Sequence, residues 1–212
     1  MEGQDDILDR VITGDESWVF KYDSDTKRQI AQRKTASSHD QKFPSVQKKS
    51  QTMLLTFYIR EIFHYKFVPT GQTVNQVYYM DVLERLRERF RWKSPEIFAN
   101  NSWILHHDNA PAHTALPLRK VLATKIITVL VHPAYSTDLA PNDFFLFPKV
   151  TKILKGRHFD DTDDIRNNTT AALKVIPQNQ FQICFEGWTS TCHWCVASQG
   201  VYFEGDHGGI QQ

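Results

Sequence analysis

The stretch "SWILHHDNAPAHT" (102–114) decides the fold. Its apolar start predicts a strand over 102–107, and Asp108 follows at once. A helix is expected over 115–124, and "IITVLV" (126–131) reads as a further strand. Strand, helix and strand in that order form a βαβ unit. Being short, branched and apolar, 126–131 is expected to be buried on both faces. Upstream, "RVITGDESWVFKY" (10–22), "MLLTFYI" (53–59) and "IFHYKFV" (62–68) carry strand signals, the last two joined by a tight hairpin. Residues 74–90 place Val74, Val77, Tyr78, Val82, Leu83 and Leu86 on one helical stripe. Pro141 can open another helix through "NDFFLFPKVTKILKG", in which Pro148 predicts a kink or break. Further helices are expected over 163–174 and 178–196. The whole reads as an α/β fold: a mixed five-stranded sheet flanked by helices, with a C-terminal helical extension. The core is placed at 1–160, and 161–212 extends the same domain.

Composition narrows the function. Of 212 residues 41% are hydrophobic, as in a globular domain. Twenty-five Lys and Arg oppose 24 Asp and Glu, so attraction to nucleic acid or an anionic membrane must come from local patches. No apolar run approaches a membrane span, and the polar, acidic start does not resemble a signal peptide. Three cysteines, Cys184, Cys192 and Cys195, are an odd number and fit a reducing compartment. Residues 23–50 are polar and basic, which marks a long exposed arm.

Three acids stand at strand ends. Asp15 lies in the first strand, Asp108 follows the fourth, and Asp143 falls in the first turn of the helix after the fifth. If the first and fourth strands are parallel neighbours, these carboxylates meet at one edge of the sheet. Oxygen donors without cysteine suit Mg²⁺ or Mn²⁺. Two such ions, about 3.5–4 Å apart, serve phosphodiester chemistry. The competing reading is that such aspartates only cap helices or form turns.

These residues resemble a known family. "VITGDESWVFKYD", "HHDNAPAHTA", "HPAYSTDLAPNDFFLFPKVTKILKGRHF" and the closing "SQGVYFEGD" look like the catalytic domain of mariner transposases of the Tc1/mariner superfamily. The likeness runs from about residue 8 to 206, and the 34 residues between Asp108 and Asp143 are the mariner spacing. It implies an RNase H-like fold and cut-and-paste DNA transposition, with cleavage at transposon ends followed by strand transfer into target DNA. It makes Asp15, Asp108 and Asp143 the catalytic, metal-holding triad for two Mg²⁺ or Mn²⁺ ions. The arm at 23–50 takes the place of the clamp loop, which implies a homodimer on DNA and a nuclear location. Lys27, Arg28, Arg33, Lys34, Lys48 and Lys49 are then the candidate phosphate contacts. The paired helix-turn-helix modules of full-length mariner transposases have no counterpart in these residues, so sequence-specific DNA binding is not expected of this chain alone.

Other residues compete for roles. Zinc at the histidines is disfavoured, because strand alternation sends His106 and His107 to opposite faces and no cysteine is near. Glu16, His107, Asn109 and His113 are the candidates to stand behind the ligands. Asp138 rivals Asp143 but sits in "STDLAP", a turn setting. Asp160, Asp161, Asp163 and Asp164 precede a helix, as a cap does. Trp188 and Trp194 are expected in the core. Tyr58 and Glu61 replace the usual Asp and Gly of the hairpin, at an expected cost of about 1 kcal/mol if the turn needs positive φ. Ala134 and Thr137 replace two prolines, and Val201 an acid. Such scatter leaves open a second reading: an inactive, transposon-derived remnant that binds DNA or dimerises.

Overall fold

A computed structural model describes residues 5–20, 50–99, 102–134 and 136–199. Positions 23–49 of the basic arm, with Lys27, Arg28, Arg33, Lys34, Lys48 and Lys49, lie outside the described residues, as does Val201.

Five strands form one sheet: β1 (Val11–Phe20), β2 (Ser50–Phe57), β3 (Ile62–Phe67), β4 (Ile104–His106) and β5 (Thr128–Leu130), in the order β3-β2-β1-β4-β5. β2 pairs antiparallel with β1 and β3, while β4 runs parallel to β1 and β5. The helices are α1 (Asp5–Leu8), α2 (Gln76–Lys93), α3 (Pro95–Ala99), α4 (Pro111–Thr114), α5 (Leu116–Thr124), α6 (Phe147–Leu154), α7 (Thr162–Lys174) and α8 (Gln178–Ala197). A 3₁₀ turn (Thr137–Leu139) and a π turn (Asn142–Leu146) precede α6.

Strand alternation divides the core in two. Val11, Val19, Met53, Leu55 and Phe57 face α6, α7 and α8. Ile12, Leu54 and Phe63 face α2 and α5. On the first face Phe57 is fully buried and meets the rings of Phe145, Phe181 and Phe185 at 6.2, 5.6 and 5.8 Å. Residues before and after position 160 share this cluster.

Local chemistry sets the helix ends. Asn75 caps α2 by accepting from the Tyr78 N–H at 3.0 Å, and Arg91 and Lys93 close it with positive charge. Asp161 caps α7 by accepting from the Asp164 N–H at 2.8 Å, so the acidic group at 160–164 has its expected capping role.

Four expectations are corrected. β5 is the edge strand, and its Thr128 and Leu130 are exposed rather than buried on both faces. Of the expected α2 stripe Tyr78, Val82, Leu83 and Leu86 are buried, with Tyr79 and Phe90 added, but Val77 turns to solvent at 74% exposure. Trp188 is buried, whereas Trp194 lies on the outer side of α8 and is exposed. The hairpin closes through Tyr58 N–H to Glu61 O at 3.1 Å with no positive φ among its residues, so losing the glycine strains nothing there. Among the described residues no helix is long and apolar enough to cross a membrane.

Candidate active site

Sheet topology brings distant acids together. β1 and β4 are parallel with Thr13 opposite His106, so Asp15 lies two residues further along, level with Asp108 where β4 has ended. Asp143 arrives from the π turn. Pro148 lacks the N–H that an α-helix would direct to Phe144, and the widened turn sends Phe147 N–H to Asn142 O instead. Asp143 is thereby placed in the turn, its own N–H on Ala140 O at 2.9 Å.

Each acid feels the others. Burial, then the charges of Asp143 and Asp108, push Asp15 up to about 8, against a backbone hydrogen bond from Glu16. Burial and the Asp108 charge also raise Asp143. Burial works to raise Asp108 as well, but hydrogen bonds from His113 and the Ala110 N–H outweigh it and hold that carboxyl low. Like charges gathered in a half-buried edge leave a negative excess that a cation would relieve. Among the described residues, however, no three His, Cys, Asp or Glu side chains stand close enough together to hold a metal ion between them as placed. The acids share a field without being drawn onto one point.

Their hydrogen bonds show which oxygens are engaged. Asp15 Oδ1 accepts from the Glu16 N–H at 2.7 Å. Asp108 Oδ1 accepts from the Ala110 N–H at 3.0 Å and meets His113 Nδ1 at 2.5 Å. Among the described residues the second oxygen of each, and both of Asp143, receive no hydrogen bond. The donor set is thus hard oxygen with free lone pairs, which fits Mg²⁺ or Mn²⁺.

The histidines separate as strand alternation requires. His106 turns to Trp188 on α8 at 4.9 Å between rings, and His107 to Tyr79 on α2. Burial and neighbouring histidines lower His106 to about 3 and His107 to about 4, so both are neutral at pH 7. His113 differs. Burial opposes its charge, but Asp108 and Glu16 raise it to about 9. It stacks against Tyr79 and His107 at 3.9 and 5.2 Å.

A polar chain beneath the acids escaped the reading of the sequence. Asn142 Nδ2 donates to Thr13 Oγ1 at 3.2 Å, Thr13 meets His106 Nδ1 at 3.0 Å, and His106 Nε2 meets His132 Nδ1 at 3.2 Å. Asn109 donates to His132 O at 2.7 Å. This chain ties the π turn to β1 and β4. The signal available was Thr13, which shares the face of Asp15 two residues on. Asp138 is exposed on the 3₁₀ turn, and its charge helps burial hold the Cys192 thiol protonated. Two cavities of about 440 and 450 Å³ lie elsewhere, one by Tyr58 and Phe181, the other by His64 and Arg89. The three acids are each partly exposed at the edge of the sheet.

An RNase H-like domain is what this sheet order, with its flanking helices and acid-bearing edge, defines. No protein-family model matches the chain. Mariner Mos1 transposase of Drosophila mauritiana is 30% identical over 203 residues, which cover 93% of this chain and 57% of that protein. Histone-lysine N-methyltransferase SETMAR of Homo sapiens is 26% identical over 201 residues, covering 93% and 29%. The chain therefore spans little more than half of one relative and under a third of the other. The solved catalytic domain of Mos1 mariner transposase matches with a TM-score of 0.75 at 28% identity, over 93% of this chain and 85% of that one. The pre-cleavage Mos1 transpososome matches at 0.79 and 29%, over 93% and 58%. The chain is a homologue of the mariner transposase catalytic domain.

Proposed function

We propose that this chain carries out metal-dependent phosphodiester cleavage and strand transfer in cut-and-paste DNA transposition. The observation that carries the reading is the register of β1 and β4, which sets Asp15 level with Asp108, with the π turn bringing Asp143 within electrostatic reach of both. Mos1 catalytic domains have been solved with Mn and with Mg, which supports the same ions here. Asp15, Asp108 and Asp143 would hold them through their free oxygens. Such ions, once bound, supply a nucleophile at neutral pH and stabilise the leaving oxygen.

The chain's own groups prepare that edge. The Ala110 N–H and His113 fix one oxygen of Asp108. The Asn142–Thr13–His106 chain holds the residue before Asp143 against β1. The buried His106 and Trp188 pair closes the floor beneath it. Mos1 forms paired-end complexes, and by analogy the partners are transposon-end and target DNA and a second copy engaged through residues 23–50, acting in the nucleus.

The test is nicking of supercoiled plasmid in Mn²⁺ by the full chain and by Asp108→Ala. Wild type is expected to nick and the variant to fall at least 100-fold. Equal nicking by the two would remove the triad from the chemistry.

A further inference from the structure

Consecutive acids on a strand point to opposite faces, and Asp15 and Glu16 do so at the place where β4 has ended beside them. Asp15 stays with the carboxylate edge. Glu16 emerges on the α2 face, where its Oε1 meets His113 Nε2 at 3.1 Å. The other nitrogen of the same ring meets Asp108 Oδ1 at 2.5 Å. One imidazole thus spans two carboxylates whose positions are 92 residues apart in sequence.

We propose that Glu16, acting through His113, is a positioning residue for Asp108: it steadies the ring that holds one Asp108 oxygen, leaving the other free for the cation. This rests on the triad being a cation site. His113 is the sealed member of the chain at 1% exposure, between Asp108 at 39% and Glu16 at 18%. A solvent-facing ligand is backed by a sealed orienter. Tyr79 and His107 pack against the faces of the ring and hold its plane, and Tyr79 shares a 2.9 Å hydrogen bond with His107 Nδ1. With the ring confined, the direction of Nδ1 is set by what Nε2 is bonded to, and that partner is Glu16. Asp108 also takes the Ala110 N–H on the same oxygen, so two donors converge there and rotation about the carboxyl bond is blocked. Partners that orient metal ligands in this way typically govern affinity 10- to 100-fold.

The experiment is calorimetric titration of the full chain with Mn²⁺, with folding followed by far-ultraviolet circular dichroism. Glu16→Ala is expected to weaken Mn²⁺ binding by about 10-fold or more. Glu16→Gln, whose amide still bonds the ring, is expected to restore affinity to within about 3-fold, a rescue that a purely electrostatic role for the acid would not give. His113→Asn, too short to span both carboxylates, should weaken binding like Glu16→Ala and carries the test if that variant does not fold. Asp108→Ala is the reference and should abolish the binding. Loss with Asp108→Ala but native affinity in Glu16→Ala and His113→Asn would overturn the positioning role and leave the cation site standing. Unchanged binding in Asp108→Ala would overturn the cation site, and this proposal with it.

Discussion

His64 carries the clearest energetic cost at the scale of single residues. It is buried on β3, and neither ring nitrogen has a hydrogen-bond partner among the described residues. Burial, then the charges of Arg89, Lys66 and Arg85, lower it from 6.5 to about 4. The unfolded chain takes up this proton first as pH falls. The stability is therefore present above about pH 6.5 and is lost as pH drops towards 4. His64→Leu, of similar volume and without stranded polar atoms, is expected to gain about 1–2 kcal/mol at pH 7. The same variant should lose less stability than wild type between pH 7 and 4.5. Urea unfolding at both pH values checks this, and parallel pH profiles would show that His64 is not the titrating group. The three acids were picked out because Asp15 lies within a strand, Asp108 directly follows one and Asp143 falls in a first turn, and their order and spacing matched a family. Asn142, Thr13, His132 and Tyr79 were not. Their roles depend on which faces meet across the sheet, and no local pattern states that.

Gly14 shows how an element constrains the site beside it. A Cβ built there would stand 2.7 Å from Thr56 Cγ2 on β2, so the glycine permits the close pairing of β1 and β2 next to Asp15. Gly14→Ala is expected to cost about 1–3 kcal/mol as overpacking. Thr56→Ser removes the offending methyl and keeps the hydroxyl that bonds His64 O at 3.1 Å. The double variant should recover most of the loss in a thermal-melt cycle. Additive losses would place the strain elsewhere. Strand and helix positions were legible in the sequence from periodicity and caps. Burial was less so: β5 has the composition of a central strand yet lies at the edge, and Val77 and Trp194 are apolar residues on outward faces. Composition records that a segment can be buried, and the presence of a neighbour decides whether it is.

Across the whole molecule, the fold builds a carboxylate edge from parts that are far apart in the chain. Antiparallel β1–β2–β3 supplies a rigid platform with helices on both faces. The parallel extension through β4 and β5 delivers Asp108, and the π turn delivers Asp143. The mixed topology followed from a hairpin succeeded by βαβ units, so the architecture was readable before any coordinates. The arm at 23–49 lies outside the described residues, and its proposed contact with a second copy belongs to experiment. An anomalous-scattering map from crystals of the full chain grown with Mn²⁺ reaches the central claim most directly. Manganese peaks within inner-sphere reach of Asp15, Asp108 and Asp143 together are the expected result. A map without manganese between those three side chains, at saturating Mn²⁺, would contradict it.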